Sequence, residues 1–256
     1  MYGAIYGDLA GSIYEYAQLK KIKSIIPEEL IMDNSFYSDD TILTIAILDA
    51  ILHDKDYDNY IRKYIKKYKD YKPNFEPYFK STFSPDLIEW SKTNNQGFSW
   101  GNGAMMRISP VGFMFDTEKE VIENAKLATI PSHNSTEAIR CAINISLLIL
   151  YLRNGYSKDD AFNKLYLNPT YVPFTKFNIK CSDTIGNCLY AFYNSNSFED
   201  AIKKTLMMGG DTDTNCAIVG SIAEASYGID DDIVNIIDNK IPKEFKLLLK
   251  KAYNKK

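Results

Sequence analysis

The sequence contains few of the residues that zinc sites and disulfide frameworks require. Its 256 residues include only 2 histidines and 4 cysteines. The cysteines form no C-x-x-C pair, and neither histidine has a partner at metal-ligand spacing. A zinc centre and a disulfide-stapled secreted fold are therefore both disfavoured. Reduced thiols in an intracellular protein fit this pattern best.

Long apolar runs and a large excess of one charge are missing as well. The longest apolar run, "ISLLILYL" at 145–152, is too short to span a membrane. The first residues have no basic start and carry Asp8, so they do not resemble a signal peptide. A net charge of −3 provides no strong field for nucleic acid or for a membrane surface. We expect a cytoplasmic monomer with neither membrane attachment nor stable nucleic-acid binding.

Alternating strand patterns are nearly absent, whereas helical patterns follow one another along the chain. "DDTILTIAILDAIL" at 39–52 has acids in its first turn and a broad apolar face. Thr117 and Glu120 stand at the spacing of a capping box, and a long helical run extends from 135 to a glycine at 155. No repeat or linker interrupts the chain. The sequence therefore predicts one all-α domain over residues 1–256.

Two helix starts are unusually rich in carboxylates and hydroxyls. The first is "SDDT", with Asp39 and Asp40, and the second is "DTDT", with Asp211 and Asp213. Each motif alone can be explained as helix capping. Together they offer only hard oxygen ligands, which suit Mg²⁺ or Mn²⁺. If the two helix starts meet, they can hold two cations about 3.5–4 Å apart.

Three further motifs are less specific. Glycines at 3, 7 and 11 share one helix face and permit close approach of another helix. Asp8 and Glu15 also share a face, either as site residues or as two solvent-facing acids. The glycines in "SWGNG" at 99–103 form a weak candidate for an anion-binding nest. His133 precedes a long helix, where it can either touch a ligand or make a structural hydrogen bond.

In this order, the motifs resemble those of the ADP-ribosylglycohydrolase family, of the dinitrogenase-reductase-activating type. The resemblance rests on "GAIYGDLAGSIYE", "SDDT", "GNGAMMRISPVG", "SHNSTEA" and "GGDTDTNCAIVGSIAEASYG", which cover residues 3–228. It implies an all-α orthogonal helical bundle with a binuclear magnesium site in a cleft. Ser38 stands where the family usually has threonine, so the hydroxyl is retained.

Family roles transfer to this chain by position. The resemblance implies that two Mg²⁺ ions, with Mn²⁺ as a possible substitute, are held by Ser38, Asp39, Asp40, Asp211, Asp213 and Thr214. Glu15 matches the glutamate over the cleft near the scissile ribose. The expected ADP-ribose contacts are Ser99, Trp100, Gly101, Asn102 and His133. Backbone amides at 99–102 would hold the diphosphate, and the adenine would stack on Trp100 or Phe98.

The activity that the resemblance implies is Mg²⁺-dependent hydrolysis of the bond between ADP-ribose and an acceptor. The acceptor is a modified protein side chain or another ADP-ribosylated group, and free ADP-ribose is the product. Glu15 and Asp213 are both candidates for the general base, and the sequence does not separate them. Two other hypotheses are a non-catalytic ADP-ribose-binding relative and a two-metal nucleotide phosphohydrolase.

Overall fold

The computed structural model describes residues 1–19, 28–75, 81–174, 177 and 179–255, with side chains of the first segment described through Glu15. The helices are α1 (Tyr2–Leu19), α2 (Asp39–Leu52), α3 (Tyr57–Tyr68), α4 (Pro85–Ser91), α5 (Gly103–Met106), α6 (Ser109–Met114), α7 (Glu118–Thr129), α8 (Thr136–Arg153), α9 (Lys158–Lys164), α10 (Cys181–Tyr193), α11 (Phe198–Met208), α12 (Thr212–Tyr227), α13 (Asp231–Lys240) and α14 (Lys243–Tyr253). Within these residues, β-pairing is limited to isolated bridges between Phe98 and His133 and between Gly101 and Lys180. The predicted all-α class is confirmed.

The helix starts follow the capping signals of the sequence. Ser38 precedes α2 and accepts a hydrogen bond from the Asp40 amide at 3.1 Å. At the start of α7, Thr117 and Glu120 form the predicted capping box. These side chains satisfy backbone N–H groups that a helix leaves without partners at its first turn. Local sequence therefore determines where the helices begin.

The glycine face of α1 packs directly against the backbone of α12. A Cβ atom built on Gly7 would lie 1.9 Å from the carbonyl oxygen of Cys216. One on Gly11 would lie 2.3 Å from the carbonyl oxygen of Thr212, and one on Gly3 would lie 2.2 Å from that of Gly220. Only glycine fits at these distances. The contact explains the spacing of four, and it brings the carboxylates of α1 beside the start of α12.

Helix α2 is apolar on all sides and is buried along most of its length. Its core position places the first turn of α2 beside α1 and near the start of α12. The link is visible at Asp8 on α1, whose Oδ2 accepts hydrogen bonds from the amides of Ser38 and Thr41 at 2.8 and 3.1 Å. Three helices therefore converge where the acidic motifs lie. Among the described helices, none combines the length and apolar content that a bilayer span requires.

Candidate active site

Five carboxylates meet where α1, α2 and α12 converge, and we call them the acid cluster: Asp8, Glu15, Asp40, Asp211 and Asp213. Oxygens of Asp8, Asp40 and Asp213 lie within 4.8 Å of one another, as do oxygens of Glu15, Asp211 and Asp213. Asp213 belongs to both groups. The two acidic helix starts, far apart in sequence, are thus brought together. Helix α1 adds one carboxylate to each group, Asp8 to the first and Glu15 to the second.

The hydroxyl residues of both motifs surround one carboxylate of the cluster. Ser38 Oγ donates to Asp40 Oδ2 at 3.1 Å, and Thr214 Oγ1 donates to the same oxygen at 3.4 Å. Asp39 is half-buried and lines the same cavity, outside the two close groups of carboxylates. All six residues that the resemblance implied as metal ligands therefore lie at one site.

Helix capping does not account for these acids. Asp211 occupies the position before α12, yet its side chain caps no amide of that helix. Its Oδ2 instead accepts a hydrogen bond from the Asn102 side-chain amide at 2.7 Å. At α2 the cap is the Ser38 hydroxyl rather than either acid. Helix capping therefore does not explain the presence of Asp39, Asp40 and Asp211 at these two helix starts.

The cluster carries a concentration of negative charge in a buried place. Burial, with the nearby charges of Asp211, Asp39 and Asp8, raises the pKa of Glu15 to about 9. Burial and the charge of Asp8 raise the pKa of Asp39 to about 8. Burial first and neighbouring carboxylates second raise the pKa values of Asp40 and Asp213 well above the usual range. Ionised carboxylates at these positions need positive charge beside them.

Two buried oxygens of the cluster have no hydrogen-bond donor in the described part of the chain. They are Asp8 Oδ1 and Asp40 Oδ1, and both side chains are almost fully buried. Buried polar atoms are normally satisfied, so unpaired acceptors here point to a ligand. Hard oxygen donors without histidine or cysteine suit Mg²⁺ or Mn²⁺ rather than zinc. The residues present therefore fit divalent cations.

The acid cluster opens into a cavity of about 480 Å³. Another part of the cavity wall is formed by the ligand loop, which we define as residues 97–103, together with His133. Phe98, Ser99, Gly101 and Asn102 line this cavity. Trp100 is not among the lining residues; its side chain is exposed at the surface, and the Lys180 ammonium lies 5.6 Å from its ring centre. Of the two aromatic residues of the ligand loop, Phe98 rather than Trp100 lines the cavity.

Backbone amides of the ligand loop are already engaged within the protein. The Ser99 amide donates to the carbonyl of Ser132 at 3.2 Å, and the Asn102 amide donates to the carbonyl of Ile179 at 2.7 Å. The Gly101 amide donates to Ser99 Oγ at 3.0 Å. The expected nest of free amides at these three positions is therefore not what the structure shows. A diphosphate at this loop would find three of its amides already engaged.

Comparison with known proteins identifies the family of this chain. The family model for ADP-ribosylglycohydrolase matches residues 1–251. The chain belongs to the ADP-ribosylglycohydrolase family. The fold agrees with it as well, since a solved ADP-ribosylglycohydrolase-related protein complex superposes with a TM-score of 0.69 over 96% of this chain and 94% of that one, at 19% identity.

Individual family members are similar at low identity. The ADP-ribosyl-[dinitrogen reductase] glycohydrolase of Rhodospirillum rubrum is 26% identical over 162 residues, or 57% of this chain and 53% of that protein. The ADP-ribosylarginine hydrolase Tri1 of Pseudomonas putida is 26% identical over 145 residues, or 50% of this chain and 39% of that protein. These matches span about half or less of the bacterial relatives. ADP-ribosylhydrolase ARH3 of Homo sapiens is 22% identical, with 89% of this chain and 84% of that protein covered.

Two residues at this candidate site were given no definite role from the sequence. Asp8 is part of the acid cluster, and its signal was the face that it shares with Glu15 on α1. Arg107 lines the cavity and is fully buried, although it follows directly after the "GNGAMM" stretch without any distinguishing pattern. Its position becomes informative only once the helices have been assembled.

Proposed function

We propose that this family member is a Mg²⁺-dependent ADP-ribosyl-acceptor hydrolase that releases free ADP-ribose from a modified acceptor. One observation carries the proposal: a buried acid cluster with unpaired carboxylate oxygens faces the ligand loop across one cavity. Such an arrangement joins a cation site to a site for a phosphorylated ligand. Non-catalytic binding alone would not require so many carboxylates that are unfavourable to bury without counterions.

We assign the cation site to the residues that the two motifs supply: Ser38, Asp39, Asp40, Asp211, Asp213 and Thr214. Asp8 joins them as the residue that holds the first turn of α2 through the amides of Ser38 and Thr41. Two Mg²⁺ ions, or Mn²⁺ in their place, would neutralise the cluster and orient the two vicinal hydroxyls of the substrate ribose. Their fit rests on the hard donor set and on the unpaired oxygens described above.

Glu15 is the better candidate for the general base. Asp213 belongs to both carboxylate groups, and one of its oxygens also accepts a hydrogen bond from the Thr214 amide at 2.8 Å. Glu15 belongs to one group and remains partly open to the cavity. It would remove a proton from the water that attacks the anomeric carbon as the bond to the acceptor breaks. A base must be ionised before it reacts, so this role requires positive charge beside Glu15 to offset the surroundings that raise its pKa.

The ADP-ribosyl group would lie along the ligand loop, against Phe98, Ser99, Gly101, Asn102 and His133. Asn102 connects this subsite to the cation site, because its side-chain amide donates to Asp211. Trp100 is not among the residues that line the cavity, so it would contact the ADP-ribosyl group only at the outer surface of the loop. One domain over residues 1–256, a monomeric state and a cytoplasmic location stay predictions.

The names of the bacterial relatives suggest the first acceptor to test. One acts on ADP-ribosyl-dinitrogen reductase and another on ADP-ribosylarginine. An arginine-linked substrate therefore heads the panel, followed by serine-linked and nucleobase-linked substrates.

The deciding experiment measures ADP-ribose release from this panel with Mg²⁺, with EDTA, and with Mg²⁺ restored after EDTA. We expect release from at least one substrate, loss of release in EDTA, and recovery on addition of the metal. Tight ADP-ribose binding without turnover on any substrate would contradict the proposal and favour a non-catalytic binder. Release of inorganic phosphate from nucleotides would instead favour a two-metal phosphohydrolase.

A further inference from the structure

Arg107 is an unusual residue in the cavity wall. It is the one lysine or arginine among the described residues that line this cavity, and its side chain has no exposed surface. Its Nη2 donates to Ser132 Oγ at 2.7 Å and lies 3.5 Å from the carbonyl oxygen of Ala128. Burying a guanidinium costs desolvation free energy, so its hydrogen-bond partners indicate why it is retained.

The direction of hydrogen bonding from Arg107 is determined by chemistry. A guanidinium has donors and no acceptor, so Ser132 Oγ must accept from it. The serine hydroxyl proton is then available for a second bond. Ser132 Oγ lies 2.7 Å from Nδ1 of His133, so that proton points to the imidazole and Nδ1 accepts it. A neutral imidazole whose Nδ1 accepts carries its own proton on Nε2.

The charge state of His133 agrees with this direction. Burial, followed by the positive charge of Arg107, lowers the pKa of His133 well below its usual value. A cationic ring would instead donate from Nδ1 to Ser132 Oγ, and the buried serine hydroxyl proton would then have no acceptor among the described residues. The neutral, Nε2-protonated form satisfies Ser132 Oγ and His133 Nδ1 together, while Nε and Nη1 of Arg107 have no hydrogen-bond partner among the described residues.

The Nε2 atom of His133 faces the ligand loop. A Cβ atom built on Gly103 would lie 3.2 Å from this nitrogen, and one on Gly101 would lie 3.5 Å from it. His133 lines the cavity, and within the described part of the chain its Nε2 has no hydrogen-bond partner. The amides of Ser99, Gly101 and Asn102 are engaged elsewhere. His133 thus offers a side-chain donor beside a loop in which these three amides already have partners.

We propose that Arg107 and Ser132 are positioning residues that hold His133 as a neutral Nε2–H donor to an anionic oxygen of the bound ADP-ribosyl diphosphate. The identity of the ligand rests on the proposed function, whereas the protonation of the ring does not. A neutral donor fixed by its neighbours loses little freedom on binding, so the hydrogen bond contributes to affinity.

The chain has only two histidines, which makes the ring directly measurable. Imidazole ¹⁵N NMR on the full chain with labelled histidine, compared with His53→Gln, identifies the His133 nitrogens. We expect an unprotonated Nδ1 and a protonated Nε2 at neutral pH. A proton on Nδ1, or a cationic ring, would overturn the proposal. This measurement needs no catalytic activity and no substitution near the site.

Matched variants test the role of the hydroxyl. In Ser132→Ala we expect mixed His133 tautomers and a Kd for ADP-ribose that is weaker by roughly fivefold, the effect of one hydrogen bond. Ser132→Thr keeps the hydroxyl and should restore the tautomer and most of the affinity. An unchanged tautomer and Kd in Ser132→Ala would contradict the proposal. An Nε2–H tautomer in a protein that does not bind ADP-ribose would refute the ligand assignment and the proposed function. The positioning of His133 by Arg107 and Ser132 would still stand in that case.

Discussion

The acid cluster and the ligand loop face each other across one cavity but are built differently. The acid cluster lies at the meeting point of three helices, and most of its carboxylates are almost fully buried. Among the described residues, none of its five acids forms an ion pair, and two of its oxygens have no hydrogen-bond donor. The ligand loop exposes Phe98 by 66%, while three of its amides hydrogen-bond within the protein. The acid cluster therefore needs added positive charge, whereas these three loop amides already have hydrogen-bond partners within the protein.

This difference separates two properties that experiments can measure. Cations are expected to control the stability and activity of the acid cluster, because they supply the missing positive charge. The loop is expected to affect affinity for the nucleotide while leaving the folded state largely unchanged. Each prediction below is directed at one side of this comparison.

Removing one carboxylate from the cluster should have the largest effect. Asp213→Asn removes the acid shared by both groups, so we expect turnover to fall by roughly a thousandfold, about 4 kcal/mol in the barrier, with weaker Mg²⁺ binding. Asp183→Asn is the matched control, because Asp183 is an exposed acid in the first turn of α10. Steady-state kinetics and metal titration measure both. Equal activity in the two variants would remove Asp213 from the site.

Disturbing the α1–α12 contact should weaken the scaffold of the acid cluster. A methyl group in Gly7→Ala meets the backbone of Cys216, so we expect a loss of about 3 kcal/mol and a Tm lower by roughly 10 °C. The comparison variant is Gly186→Ala in α10, where the nearest atom to the new Cβ is the Thr170 carbonyl oxygen at 3.0 Å. Its Tm should change by less than about 3 °C. Similar melting of both variants would show that the glycine contact is not special.

The pH dependence of stability should differ with and without cations. The pKa values of Glu15 and Asp39 are raised to about 9 and about 8, so the folded protein binds more protons than the unfolded chain between about pH 4 and pH 9. The Tm of the metal-free protein should therefore fall as pH rises through this range. Saturating Mg²⁺ should raise the Tm by roughly 5–10 °C at the alkaline end.

Thermal melts at several pH values, with EDTA or with Mg²⁺, test this expectation. K⁺ at equal ionic strength controls for screening of surface charge. A Tm that rises with pH in EDTA, or one that responds equally to K⁺ and Mg²⁺, would contradict the assignment of a cation site.

The smallest expected effect distinguishes two aromatic residues of the ligand loop. Phe98→Ala removes a cavity-lining ring, and we expect the Kd for ADP-ribose to weaken by about tenfold. Trp100→Ala removes a ring outside the cavity and should change the Kd by less than about twofold. Calorimetry on both variants makes the comparison. A larger loss in Trp100→Ala would mean that the ligand contacts the outer surface of the loop.

Sequence patterns predicted the acid cluster better than the ligand loop. The acids stand at helix starts, and the glycines at 3, 7 and 11 signal a close helix contact, so local rules indicate both features. The hydrogen bonds of the loop amides depend on the carbonyl groups of Ser132 and Ile179, which come from elsewhere in the chain. The surroundings of the Trp100 ring depend in the same way on Lys180. Side-chain direction and amide pairing in a loop follow from tertiary contacts, which no local pattern encodes.

Arg107 illustrates the same limit. It stands within the stretch "GNGAMMRISPVG", but its partner Ser132 lies three residues beyond the end of α7 and 25 positions away in sequence. The hydrogen bonds that determine the state of His133 exist only in the assembled fold. Asp8 is an intermediate case, because helical spacing placed it with Glu15 but did not reveal its link to Thr41.

The central claim is that the acid cluster is a site for two divalent cations. Calorimetric titration of Mg²⁺ and of Mn²⁺ into the metal-free protein tests it most directly, with Asp213→Asn titrated in parallel. We predict two equivalents bound per chain in the unaltered protein and loss of at least one in the variant. Saturable binding that is absent from the unaltered protein, or identical in both proteins, would contradict the account.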